Sequence, residues 1–335
     1  MDTLNLDKLK VTKSVYFPVD LLSVARTPNS EHLWIGGGDF KLYFLDFSAA
    51  KPLPVALEGH TSQVSGVVMA EKVLVSAGWD RKLIWWDVEK RRPIRTVDAH
   101  RRWIRQIALS PDRRLVASVS DDMTCKLWDV TSGKMTRELR GHESSLPRYD
   151  YPNKLYACAF SPDGKFLAAS DELCRVIVWE VSSGKEAARF DAAAFFTADW
   201  DRNNHPYGGL RALAFSPDGR SLALGGMKNT DVAIINGHGL VQVYDWKAGK
   251  LTHDLKGGQH LQFETLWFPP GSEWLLALVG GTPQKPSLCF FDLKQKRLIK
   301  EIANHSTIFG LAVGDKGDTL YTVGRSLAAK WECPA

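Results

Sequence analysis

The sequence predicts an all-β fold of seven similar four-stranded antiparallel units closed into a ring. Three observations lead there. Short apolar runs alternate with turn residues along the whole chain, and the pattern recurs every 40 to 55 residues. The chain also begins and ends on partial units that complete one another.

Five segments align directly: GHTSQVSGVVM (59–69), AHRRWIRQIALSPD (99–112), YACAFSPDGKFLAAS (156–170), LRALAFSPDGRSLALGG (210–226) and LWFPPGSEWLLAL (266–278). Each reads as an alternating apolar run, a Pro/Asp/Gly turn and a second apolar run, the signature of a hairpin with period-2 burial. A third run follows, ending in an aromatic and an acid: Trp86-Asp87, Trp128-Asp129, Trp179-Glu180, Tyr244-Asp245, Phe291-Asp292 and Trp331-Glu332, with Leu45-Asp46 as a weaker first copy. The residues closing each first strand, Arg26, Met69, Leu109, Phe160, Phe215, Phe268 and Val313, are spaced by 43, 40, 51, 55, 53 and 45 residues. A length of 335 residues alone would suggest two domains, but a single four-stranded unit cannot bury both faces and must stack on its neighbours. One domain over 1–335 is therefore expected, with units near 17–58, 59–98, 99–140, 141–192, 193–257, 258–303 and 304–335 plus 8–16. The last unit stops after its third strand at LAAKWECPA, and LKVTKSVYF near the start is expected to supply its outer strand.

Composition limits the functional classes. With 44% hydrophobic and 24% charged residues the chain is an ordinary globular one, and its net charge of +5 permits an acidic partner without requiring one. No run approaches the ~18 apolar residues needed to span a bilayer, and the start lacks an apolar leader and a cleavage site, so no membrane partner and a cytoplasmic location are expected. Five cysteines (Cys125, Cys158, Cys174, Cys289, Cys333) stand far apart without CxxC spacing, which fits a reducing compartment.

The unit length, the Gly-His starts at Gly59-His60 and in the weaker Ala99-His100, and the Trp-Asp ends resemble the WD-repeat β-propeller family. The resemblance covers essentially the whole chain and is strongest in copies two and three. It implies a seven-bladed propeller of four-stranded antiparallel blades, closed by the N-terminal strand joining the last blade. It also implies that His60, Ser76, Asp80 and Trp86, and in register His100, Ser118, Asp122 and Trp128, form structural hydrogen-bonded chains within their blades. Taken as isolated residues, Ser, His and Asp could be read as a catalytic triad; their repetition at blade spacing argues against it, because a triad is one geometry at one site. Copy four keeps His142 and Trp179 but has Leu173 at the Asp position, so its network is expected to be incomplete.

No phosphate-binding, zinc-protease, nucleophile-elbow or EF-hand motif is present, and no cofactor is expected. Gly36-Gly37-Gly38 reads as close packing near the axis rather than a phosphate cradle, because no helix follows it. Asp199, Asp201, His205 and His238 are a weak metal set without ligand spacing. An axial-channel enzyme would need a ring of inward acids, Asn or His, which the first-strand residues Gln63, Trp103, Lys154, Gln262 and Thr307 do not supply.

Loop lengths can be sorted by face, because connections in an up-and-down blade alternate sides. The distance from the His position to the end of the first strand is 9 residues in copies two and three, 18 into copy four and 22 into copy five. Between second and third strands the usual span of 12 grows to 22 in copy five and 16 in copy six. All of these insertions fall on one face, where loops on a rigid scaffold carry specificity. They bring Arg148, Tyr149, Tyr151, Phe195, Phe196, Trp200, Arg202 and Tyr207, which together with Trp103 are the candidate partner-binding residues. The alternative for the aromatics is that they fold back onto the ring. The expected function is a non-enzymatic scaffold binding a protein or peptide on this face. The competing reading is nucleic acid or an acidic partner met through Lys90, Arg91, Arg92, Arg113 and Arg114 on the opposite face, with Arg101, Arg102 and Arg105 leading into copy three on the inserted face.

Overall fold

Nearly every strand pairs antiparallel with its sequence neighbour, as expected for hairpins linked by short turns. The computed structural model describes residues 4–143, 145–146, 151–197, 207–231, 236–259, 262–280 and 286–334. Five sheets have four strands. That of copy two, for example, runs through Val64–Ala70, Val73–Gly78, Lys82–Asp87 and Arg92–Asp98. A sixth sheet has six strands, and two further two-stranded ribbons, Ser145–Leu146 with Tyr151–Pro152 and Phe196–Thr197 with Tyr207–Gly208, sit in the insertions. The architecture is a β-propeller of antiparallel blades.

The expected count of seven separate four-stranded blades is corrected: the described strands form six blade sheets, five of four strands and one of six, because copies one and seven share the six-stranded one. The cause is the strand Lys10–Arg26, 17 residues long and without a turn signal in its middle. Its first part pairs with Leu320–Glu332, from Lys10↔Glu332 to Asp20↔Arg325. Its last part pairs with His32–Gly37, from Leu21↔Gly37 to Arg26↔Leu33. Pro18, which has no N–H to give, falls in the gap between Tyr16 and Asp20 where the register shifts. Leu320–Glu332 in turn doubles back at Ser326, whose φ is 58°. Trp331 Nε1 donates to Thr322 Oγ1 at 2.9 Å, although a straight strand would hold these residues about 30 Å apart.

The first strand of each copy touches that of the next, from Lys10–Arg26 through Val64–Ala70, Ile104–Leu109, Leu155–Phe160, Leu210–Phe215, Gln262–Trp267 and Ile308–Val313, and back to the first. The core is divided accordingly into seven buried clusters, each shared by two consecutive copies. Two repeated backbone bonds define the faces. On one, Trp79, Asp121, Glu172 and Arg325 donate their N–H to Gln63, Trp103, Lys154 and Thr307, tying each second-to-third turn to the loop entering the same copy. On the other, Phe47, Val130, Val181 and Leu293 donate to Glu31, Arg114, Lys165 and Glu273.

The SPD turns on that second face are built alike. Ser110, Ser161 and Ser216 each donate Oγ–H to the Asp two residues on, at 2.6 Å. The next position is left-handed, with φ 69° at Gly164 and 70° at Gly219; in copy three Arg113 occupies it at φ 60°. Arg113→Gly should therefore stabilise the protein by ~0.5–1 kcal/mol in a denaturant titration, since a side chain in this conformation costs about 1–2 kcal/mol, only part of which the entropy of glycine returns. Deleting residues 1–16 should strip the strand that pairs with Leu327 to Glu332 and leave an open edge. A melting temperature lower by several degrees, with aggregation on size-exclusion chromatography, is the expected result.

Candidate functional site

Seven side chains, one from each first strand, line a cavity of about 250 Å³ at the centre of the ring: Leu22, Ser65, Arg105, Tyr156, Arg211, Glu264 and Phe309, with Trp79 and Gln106 beside them. Each of the seven is the unpaired residue of a register shift within its strand, as between Val64 and Gly66 or between Leu155 and Ala157. A bulge of this kind re-aims one side chain, and here it turns seven of them toward the axis. This corrects the expectation that Gln63, Trp103, Lys154, Gln262 and Thr307 mark the axis: the lining residues lie two further along the strands. A sequence signal existed, since every one stands four residues before the strand-closing positions Arg26, Met69, Leu109, Phe160, Phe215, Phe268 and Val313.

The mouth of the cavity on the inserted face is aromatic and cationic. Trp79 and Trp103 stack with ring centroids 4.5 Å apart and planes 4° from parallel. Arg105 lies beside the stack, its Cζ 5.0 Å from the Trp103 centroid and 5.4 Å from that of Trp79. Its guanidinium donates Nε and Nη2 to the two carboxylate oxygens of Asp121, each at 2.7 Å, a bidentate pair that fixes the plane. Arg105 and Arg211 both approach the Tyr156 ring, at 5.5 and 4.2 Å. Burial pushes the Tyr156 phenol up, and likewise the carboxyl of Glu264, against which the charge of Arg211 works. Lys154 Nζ lies 3.5 Å from Glu172 Oε2. Such a lining can bind and orient, and it contains no nucleophile hydrogen-bonded to a base.

Trp103 is 45% exposed, so it can meet a partner. Phe195 is fully buried in the cluster between copies four and five, and Phe196 packs partly against it; Phe195 therefore builds the fold and is not a contact residue. Tyr151 and Tyr207 lie on the strands of the two ribbons. Arg148, Tyr149, Trp200 and Arg202 lie outside the described residues, as do Asp199, Asp201 and His205 of the metal set. Among the described residues no three His, Cys, Asp or Glu are grouped to hold a metal. At Gly36 a Cβ would stand 2.4 Å from Val64 O, so close packing between copies one and two accounts for that glycine run. On the opposite face Arg91 covers the Phe44 ring at 3.9 Å, and Arg92, Arg113 and Arg114 are exposed.

The hydrogen-bonded chains are present in copies two and three. His60 Nδ1 is 2.9 Å from Asp80 Oδ2 and Nε2 2.7 Å from Ser76 Oγ, which accepts from Trp86 Nε1 at 2.8 Å. The Asp122, His100, Ser118 and Trp128 chain repeats this at 3.0, 2.7 and 2.9 Å. Burial lowers the His100 pKa, so the ring stays neutral and donates through Nδ1. Burial alone would raise Asp122, but His100, Thr124 and the Arg101 N–H outweigh it and hold the carboxyl below its ordinary range; Asp80 is lowered likewise, chiefly by His60. Copy four is rewired. His142 Nδ1 meets Asp171 Oδ2 at 2.8 Å, two residues before Leu173, and Asn153 Nδ2 donates to the same oxygen. His142 Nε2 and Ser170 Oγ are buried without a hydrogen-bond partner among the described residues, so this network stays open.

A family model described as "WD domain, G-beta repeat" matches residues 51–87, 91–129 and 133–180, each match ending on the aromatic-acid pair of a third strand. The chain carries WD repeats. Similar proteins include the nuclear distribution protein PAC1 of Arthroderma otae, 31% identical over 30% of this chain and 21% of that protein. The small ribosomal subunit protein RACK1y of Oryza sativa subsp. japonica is 32% identical over 38% of this chain and 35% of its own length. The telomerase protein component 1 of Rattus norvegicus is 26% identical over 72% of this chain but only 8% of its own. The chain thus spans about a third or less of the length of these relatives. Among the described residues no helix is long and apolar enough to cross a membrane.

Asp80→Ala and Asp122→Ala should each cost ~1–3 kcal/mol at pH 7, by leaving buried partners unpaired. Both carboxyls bind protons more weakly in the folded chain than in the unfolded one, so their contribution is full above a pH of about 4 and falls as pH drops through their folded values. Denaturant titrations at pH 7, 5 and 3 should accordingly show the wild-type and variant stabilities converging at the acid end.

Proposed function

We propose that this WD-repeat ring is a non-enzymatic scaffold, acting as one unit over 1–335, that binds a protein or peptide partner on the face carrying the long loops of copies four to six. The observation that carries this reading is Trp103, 45% exposed, stacked on Trp79 and flanked by the clamped Arg105 at the mouth of the axial cavity. Aromatics and Arg held rigid beside a recess are the residues that anchor interfaces. All sizeable insertions fall on this same face. A relative named as a small ribosomal subunit protein is by that name part of a larger assembly, which agrees with a scaffold role. Five free cysteines, four of them buried with thiol pKa values raised by burial, suit a reducing cytoplasm.

The test is quantitative capture from the native extract with mass spectrometry, comparing three proteins. Trp103→Ser, combined with Tyr149, Tyr151, Trp200 and Tyr207→Ser, should weaken the principal partner by more than ~2 kcal/mol if one of them is an anchor. The melting temperature should move by only a few degrees. Reversal of Arg92 and Arg114 to Glu on the opposite face should leave the partner bound. Loss of the partner in this control alone would place the site on the basic turns instead.

A further inference from the structure

We propose that the rim of the axial cavity over copies two and three recognises an acidic stretch of the partner chain, with an apolar side chain of that stretch lying on Trp103. This rests on the reading of the inserted face as the binding surface, and adds the chemistry that the surface selects.

Charge carries the argument. Arg81, Arg101 and Arg102 are exposed and have no ion-pair partner among the described residues. They form one patch, because Arg81 O accepts from the N–H groups of both Ala99 and His100, which sets the Arg81 turn against the segment leading to Trp103. The acids nearest in sequence are already used. Asp80 accepts from His60 and the Thr61 and Lys82 N–H groups, Asp122 from His100, Thr124 and the Arg101 N–H, and Asp121 from Arg105. Asp98 stands opposite Lys82 in the strand register. The cavity lining holds Arg105, Arg211 and Glu264, while beside it Asp121 pairs with Arg105 and Glu172 with Lys154, so these acids are matched by cations of their own and the three rim arginines remain in excess. Exposed guanidiniums around an exposed indole give long-range attraction for carboxylates and a flat apolar seat at the centre.

The experiment titrates the intact protein with three capped synthetic probes, a hexaglutamate peptide, a hexalysine peptide and a twelve-residue oligothymidylate, at 50 and 150 mM NaCl. The hexaglutamate should bind more tightly than the other two and weaken with salt. The triple variant Arg81→Gln, Arg101→Gln, Arg102→Gln should bind it about tenfold more weakly. The opposite-face triple Arg92→Gln, Arg113→Gln, Arg114→Gln, which removes the same charge, should bind as the wild type does. Equal weakening by the two triples, no hexaglutamate binding at all, or tighter binding of the oligonucleotide would each overturn the proposal. If hexaglutamate fails while the Trp103 variant still loses the captured partner, the face stands and the acidic selectivity falls. If hexaglutamate behaves as expected while that variant keeps its partner, the acidic site stands and the partner binds elsewhere.

Discussion

Each buried cluster in this ring belongs to two copies at once, and the rest of the structure depends on that sharing. The strand Phe166–Asp171 illustrates it: Leu167 and Ala169 face copy three, while Ala168 between them faces copy five. Central strands are buried on both sides and therefore read as unbroken small and apolar runs rather than strict alternations. The cluster joining copies two and three contains 11 buried apolar residues. At about 1.5 kcal/mol for each, opening that junction costs on the order of 15 kcal/mol, comparable with the whole stability of a typical domain. The ring must close, and the unbroken run of Lys10–Arg26 from one copy into another is how it does so.

Closure also decides where function can sit. First strands converge on the axis, where there is no room for two full rows of side chains, and a bulge in each strand turns one residue into the gap. The scaffold thus supplies seven positions whose identity packing does not dictate. Here they hold Leu, Ser, Arg, Tyr, Arg, Glu and Phe, an irregular set inside a regular frame. Irregularity at a repeated position marks the place where a repeat protein departs from self-consistency for something other than stability.

The repeat was legible in the sequence because it is set by turns and strand ends: Ser-Pro-Asp, the aromatic-acid pairs and the Gly-His start of copy two each have a local physical cause. The sharing of one sheet by copies one and seven was not, because the end of one copy and the start of the next are written in the same extended residues with no turn between them. The axial residues were misplaced by two positions for a related reason, since strict period-2 counting cannot see a bulge. Copy four shows the limit of matching by position: Asp171 replaces the carboxylate missing at Leu173 from a different point on the turn. Phe195 shows the limit of composition, since an aromatic in a long loop reads alike whether it faces solvent or is buried beneath it.

The polar chains of copies two and three do more than hold those sheets. Trp79 immediately precedes Asp80, Trp103 follows His100 by three residues, and Asp121, which clamps Arg105, is next to Asp122. The two carboxylates anchored by histidine therefore fix the turns that carry the stacked indoles and the guanidinium. The copies with complete chains are those that bear the exposed Trp and the unpaired arginines, whereas copies four to six, where the chains are open or absent, carry the long insertions. A binding surface composed this way pairs a preorganised centre with adaptable surroundings. The centre keeps its geometry because its supports are buried and satisfied, so little ordering cost remains to be met when a partner arrives.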